Sequence, residues 1–128
     1  MTVTISGIFS GLYTLSAAAD DPATITSTGL LDAGLYAPSY AAAWTITNAG
    51  TILGTGATLQ SAGTVVNTGD IAGSSTASTG VSFFFGGSVL NFGVISGLDG
   101  IQARLGPVNV MNFGSITGNT TDHRGRGA

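Results

Sequence analysis

A short phrase recurs along this chain about every 21 residues, and that period constrains the fold more than any other feature of the sequence. The phrase is Asn-x-Gly-x-Ile-x-Gly, and two divergent versions precede four versions that keep the asparagine. Successive copies start 22, 21, 19, 24 and 21 residues apart, at Ile5, Ser27, Asn48, Asn67, Asn91 and Asn112. A period of this length is typical of stacked repeats, in which each unit buries its apolar side chains only against its neighbours.

Each copy carries three apolar positions, which predict three short strands per coil. The first position lies two residues before the start of the phrase, at Val3, Ile25, Ile46, Val65, Val89 and Val110. The second lies four residues after the start, at Phe9, Leu31, Ile52, Ile71, Ile95 and Ile116. The third follows a glycine in five copies, at Leu12, Leu35, Ala57, Val81 and Ile101. If coils stack about 4.8 Å apart, these positions form buried columns. We therefore predict an all-β fold, a single-stranded parallel β-helix (β-solenoid) of about six coils over residues 1–118, with residues 119–128 as a polar tail.

The asparagine and the glycine of the phrase have separate predicted roles. Asparagine side chains at one corner of successive coils can form an inward amide ladder, in which each amide bonds to the next coil. The predicted ladder consists of Asn48, Asn67, Asn91 and Asn112. The glycine two residues later is expected to adopt positive φ and so turn one strand into the next.

The composition argues against several classes of function. Only 7% of the residues are charged, the net charge is −3, and the three basic residues provide no basic stripe for binding nucleic acid. Nothing in the sequence is apolar for long enough to insert into a membrane. The carboxylates Asp32, Asp70 and Asp99 fall in different coils, and no metal-ligand or cofactor motif is present. We therefore expect no enzyme activity, no catalytic, metal or cofactor-binding residues, and no cofactor.

Two surface features are candidate binding sites. Outward-facing Thr-x-Thr pairs flank the first apolar position in three coils and could bind ice or carbohydrate, at Thr2, Thr4, Thr24, Thr26, Thr45 and Thr47. In the last two coils the corresponding surface becomes apolar, at Leu90, Phe92, Met111 and Phe113. Exposed apolar patches usually mark contact sites, so these four residues are a candidate self-association surface.

The segment 87–97, Gly-Ser-Val-Leu-Asn-Phe-Gly-Val-Ile-Ser-Gly, resembles repeats in the passenger regions of bacterial autotransporters and haemagglutinin-type adhesins. The resemblance implies a right-handed β-helix that is displayed outside the cell or on its surface, where a host or cell-surface ligand could bind. The expected function is that of a non-catalytic structural or adhesion-type module, which self-associates end to end into homo-oligomers or filaments. The alternative is a surface binder of ice or carbohydrate that uses the threonine pairs.

Overall fold

The computed structural model describes residues 3–16, 18–39, 43–74 and 78–118, and these residues form an all-β solenoid. It has about five turns of about 21 residues each. Two of its three parallel sheets contain six strands and the third contains five, so the sixth coil contributes two strands. The predicted fold class is confirmed, with five complete coils in place of six. The predicted tail, residues 119–128, lies outside the described residues.

Each sheet stacks the equivalent strand of successive coils. The first sheet contains β1 (Val3–Ile5), β4 (Ala23–Ile25), β7 (Trp44–Asn48), β10 (Gly63–Asn67), β13 (Gly87–Asn91) and β16 (Val108–Asn112). The second contains β2 (Ile8–Phe9), β5 (Leu30–Leu31), β8 (Thr51–Ile52), β11 (Asp70–Ala72), β14 (Val94–Gly97) and β17 (Ser115–Gly118). The third contains β3 (Tyr13–Thr14), β6 (Leu35–Ala37), β9 (Ala57–Leu59), β12 (Val81–Phe83) and β15 (Ile101–Ala103). A 3-10 turn, Ala18–Asp20, follows the first coil.

The second sheet has the register that the sequence predicts. Its inward column runs through all six strands, from Phe9 through Leu31, Ile52, Ile71 and Ile95 to Ile116. The four inner members of the column are fully buried. Because parallel pairing repeats the same side chain at the same height in each coil, the column forms a continuous aliphatic core.

The first sheet departs from its predicted register in the second coil. Val3 pairs with Ala23 and not with Ile25. Ile25 pairs with Ile5 on one side and with Asn48 on the other, so it lies in the asparagine column. The predicted column is therefore wrong at this one position.

The cause is a longer corner in coil 2. Three residues separate Ile25 from Gly29, whereas one residue separates Asn48 from Gly50. The carbonyl of Gly7 accepts from Leu30, and the carbonyl of Gly29 accepts from Thr51, so the glycines stay aligned. The two extra residues are absorbed in the corner, where strand register is not constrained.

One predicted position in the third sheet is also wrong. Leu12 was predicted to start its column, but Tyr13 pairs with Leu35, and Leu12 is exposed. The column then continues as predicted through Ala57, Val81 and Ile101.

The glycine of the repeated phrase is required for a different reason from the predicted one. Positive φ angles occur at other glycines of the described chain, such as Gly34 and Gly54, and not at Gly69 or Gly93. A Cβ atom added at Gly93 would collide with the carbonyl oxygen of Gly69 in the preceding coil. Glycine is therefore needed here because the coils approach closely at this corner.

Large side chains fill the core beside glycines. Trp44 is fully buried and pairs with Gly63, where a Cβ atom would contact the Trp44 side chain at 3.3 Å. The indole Nε1 donates a hydrogen bond to the carbonyl of Pro38 at 2.8 Å. Phe83 is also fully buried, next to Gly87. Glycines thus leave room for the two largest buried side chains, which keeps the core close-packed.

Candidate functional site

The four phrase asparagines form a column on the first sheet, where β7, β10, β13 and β16 end. The Nδ2 of each inner asparagine donates to the Oδ1 of the next at 2.9 Å, from Asn48 to Asn67, Asn91 and finally Asn112. Each of these three Nδ2 atoms also donates to the carbonyl of its own phrase glycine and to a carbonyl of the next coil.

The ladder satisfies polar groups that the fold takes out of water. The side-chain oxygen of each asparagine accepts the backbone N–H of the glycine two residues later, at 3.1–3.3 Å. Asn48, Asn67 and Asn91 are fully buried, and no buried side-chain polar atom in the described residues lacks a partner. Burying an amide without partners is costly, so this arrangement is a structural element of the solenoid.

The predicted apolar surface residues lie together on the corner of the last two coils. Leu90 pairs with Met111 across β13 and β16. The rings of Phe92 and Phe113 stack with centroids 5.2 Å apart and planes 11° apart. Phe92, Met111 and Phe113 are 52%, 61% and 66% exposed.

Sequence reasoning missed a fifth member of this surface. Val94 is 43% exposed and lies two residues after Phe92, at the start of β14. Its position follows from the period-two alternation, because it precedes the inward Ile95. We refer to Leu90, Phe92, Val94, Met111 and Phe113 as the C-terminal apolar patch.

The predicted threonine face does not stack as expected. Thr24 pairs with Thr4 and with Thr47, which gives one column of three threonines. Thr26 lies beyond the end of β4, and Thr45 belongs to a separate column with Thr64, Ser88 and Asn109. The longer corner of coil 2 is again the cause. The prediction of three stacked Thr-x-Thr pairs is therefore wrong in register; Thr2 lies outside the described residues.

A polar cleft of about 390 Å³ lies on the outer face of the third sheet. Its floor is a row of outward side chains, Thr58, Ser82 and Gln102, which occupy the same position in three successive coils. The loops and strand ends around this row provide the remaining lining residues, Thr55, Ser78, Thr79, Leu98, Asp99 and Arg104. The cleft therefore combines hydroxyl, amide, carboxylate and guanidinium groups.

The described residues contain neither a membrane-spanning helix nor a cluster of metal ligands. No helix in that part of the chain is long and apolar enough to cross a membrane. Nor do three or more His, Cys, Asp or Glu side chains gather there in a group that could hold a metal ion.

One aspartate has a structural contact, since the Asp21 carboxylate accepts the backbone N–H of Thr45 at 2.9 Å.

The repeated phrase encodes a stacked coil with an internal amide ladder, and these features describe an architecture and not an activity. Comparison with known proteins adds no family to this description. The chain matches no protein-family model, no curated protein and no solved structure.

Proposed function

We propose that this chain is a non-catalytic structural or adhesion-type module that self-associates end to end, outside the cell or at the cell surface. The observation that carries the proposal is the C-terminal apolar patch. Monomeric soluble proteins rarely leave contiguous aromatic and aliphatic side chains in water, and exposed patches of this kind usually mark contact sites. The extracellular location has its support in the resemblance of residues 87–97 to adhesin repeats.

The low charge of the chain is compatible with self-association. Only 7% of the residues are charged and the net charge is −3. Long-range repulsion between copies is therefore weak, and little opposes contact between two apolar surfaces.

Sedimentation velocity of the full chain at increasing micromolar concentrations tests the proposal. We expect reversible oligomers, and we expect Phe113→Ser to raise the dissociation constant about tenfold or more because it removes an exposed aromatic side chain from the contact. The matched control is Ile8→Ser, since Ile8 is 74% exposed at the other end of the solenoid. A wild-type chain that stays monomeric, or equal effects of the two substitutions, would contradict the proposal.

A second candidate function is carbohydrate binding at the polar cleft on the third sheet. Its volume of about 390 Å³ falls in the range of small-molecule sites. Asp99 can accept hydrogen bonds from adjacent sugar hydroxyls, and Gln102 and Arg104 can donate to ring and hydroxyl oxygens. The proposed carbohydrate-binding surface is therefore this cleft and not the threonine pairs.

A microarray of neutral and acidic oligosaccharides, probed with the labelled chain, tests this second function. We expect binding that is lost in Asp99→Asn and Gln102→Ala but retained in Thr47→Ala, a control on the first sheet. If no saccharide binds, or if Thr47→Ala alone abolishes binding, the cleft is not a carbohydrate site.

A further inference from the structure

The outer face of the third sheet carries one continuous row of side chains along the solenoid axis. Parallel pairing aligns one residue of each strand in this row, in the order Thr14, Tyr36, Thr58, Ser82 and Gln102. The residues on either side of the row in β6, β9 and β12 are fully buried, so the row itself points outward. Because successive coils stack about 4.8 Å apart, the row is about 14 Å long from Tyr36 to Gln102.

A second polar row runs parallel to the first, along the corner that precedes the third sheet. Its members stand directly before a corner glycine in three successive coils, and they are Thr55, Thr79 and Asp99. The N–H of Ala57 donates to the carbonyl of Gly80, and that of Val81 to the carbonyl of Gly100, so these corners are aligned. All three residues line the polar cleft, together with the first row from Thr58 onward. The cleft therefore follows the solenoid axis through three coils, and each coil supplies one residue to each row.

Three polar side chains of the cleft keep their hydrogen-bonding groups for solvent. The Asp99 carboxylate, the Gln102 amide and the Arg104 guanidinium make no hydrogen bond or ion pair with the described part of the chain. A carboxylate can accept hydrogen bonds from two adjacent hydroxyl groups, an amide can both donate and accept, and a guanidinium donates. A saccharide offers hydroxyl and ring oxygens that match all three groups, so it can replace the water that surrounds them.

Tyr36 extends the first row one coil beyond the cleft and adds an aromatic surface. It pairs with Thr58 on the floor of the cleft, and its side chain is half-buried between the inward Leu35 and Ala37. The face of an aromatic ring carries partial negative charge. The C–H groups on one face of a sugar ring carry partial positive charge, so a sugar can stack on the tyrosine ring. The row thus offers stacking at one end and hydrogen bonds at the other.

We propose that the third sheet binds a linear, neutral, β-linked polysaccharide of the extended, cellulose-like type, whose chain lies parallel to the solenoid axis from Asp99 and Gln102 to Tyr36. The length of one sugar in such a ribbon is close to the coil spacing of about 4.8 Å, so successive sugars meet successive coils and about four sugars cover the row. A polyanionic chain is disfavoured, because the net charge of the protein is −3 and Asp99 lies in the cleft. The inference rests on carbohydrate binding at the polar cleft, the second candidate function, and names the class and the direction of the saccharide.

Substitutions at Tyr36 test where the far end of the saccharide lies. We expect Tyr36→Ala to raise the dissociation constant of cellotetraose about tenfold or more, whereas Tyr36→Phe, which keeps the ring, should leave it within about twofold. The matched control is Phe92→Ala, which removes a 52% exposed ring from the corner between the first and second sheets and should have no effect. Circular dichroism verifies that each variant is folded. Unchanged affinity in Tyr36→Ala, or an equal loss in Phe92→Ala, would overturn the proposal.

Isothermal titration calorimetry of the unmodified full chain with cello-oligosaccharides of increasing length supplies an independent test. We expect the dissociation constant to fall at least about tenfold from the disaccharide to the tetrasaccharide and to change little beyond it, because four coils supply the row. Maltohexaose, whose α-linked chain coils, should bind at least about tenfold more weakly than cellohexaose. Equal affinities for the disaccharide and the tetrasaccharide, or binding of other saccharides but of no cello-oligosaccharide, would refute the axial chain while the cleft remains a carbohydrate site. A chain that binds no saccharide at all would refute both.

Discussion

At the scale of single residues, the fold depends on how the asparagine amides are satisfied. Asn67 illustrates this, because its side chain accepts from Asn48 and Gly69 and donates to Asn91. It is fully buried, so water cannot replace a lost partner. The same chemistry at Asn112 is exposed to water. An asparagine in this column is therefore expected to contribute more to the stability of the fold in the interior of the solenoid than at its C-terminal end.

This difference predicts unequal effects of the same substitution. Asn67→Ala removes hydrogen bonds from a fully buried site, among them those that the side chain makes with Asn48, Gly69 and Asn91, and we expect a loss of about 2–5 kcal/mol in the free energy of unfolding. Asn112→Ala should cost less than about 1 kcal/mol, because Asn112 is itself exposed and the Nδ2 of Asn91 keeps the carbonyls of Gly93 and Ser115 as acceptors. Urea denaturation followed by circular dichroism measures both values. Similar losses for the two variants would show that the ladder does not stabilise the interior of the solenoid.

At the scale of elements, each strand of the second sheet contributes one large apolar residue to the inward column. Ile71 in β11 lies between Ile52 and Ile95 and is fully buried. Ile8 in β2 belongs to the same sheet but points outward, with 74% of its surface exposed. A strand of two or three residues therefore depends on one side chain for its packing.

These two isoleucines provide a matched pair of substitutions. Ile71→Ala removes a buried side chain from the middle of the column, and it should lower the free energy of unfolding by about 2–4 kcal/mol. Ile8→Ala makes the same chemical change at the surface and should alter it by less than about 0.5 kcal/mol. Thermal and urea unfolding of both variants would decide the point. If Ile8→Ala were as damaging as Ile71→Ala, the assignment of the inward face would be wrong.

At the scale of the whole molecule, a solenoid is stabilised by contacts between neighbouring coils, and its two ends determine what else it can contact. The N-terminal end combines the buried Ile5 with the half-buried Tyr13 and the ring of Phe9, which is 40% exposed, and its ladder column contains isoleucine in place of asparagine. The C-terminal end combines half-buried valines with an exposed asparagine and the apolar patch. The two ends of the solenoid therefore present different side chains to solvent.

The sequence alone determined the period, the number of strands per coil and the second-sheet column from Phe9 to Ile116. These features depend on spacing along the chain, and parallel stacking repeats that spacing in space. The positions of the four ladder asparagines follow from the same period.

Only the tertiary structure decided the features that depend on contacts between coils. The two extra residues between Ile25 and Gly29 shift the threonine pairs out of register, and a spacing rule does not show whether a corner or a strand absorbs an insertion. The need for glycine at Gly93 arises from the carbonyl of Gly69 in the coil below, a clash that exists only once the backbones are stacked. The exposure of Phe113 and the burial of Phe83 likewise depend on which neighbouring coil covers each ring.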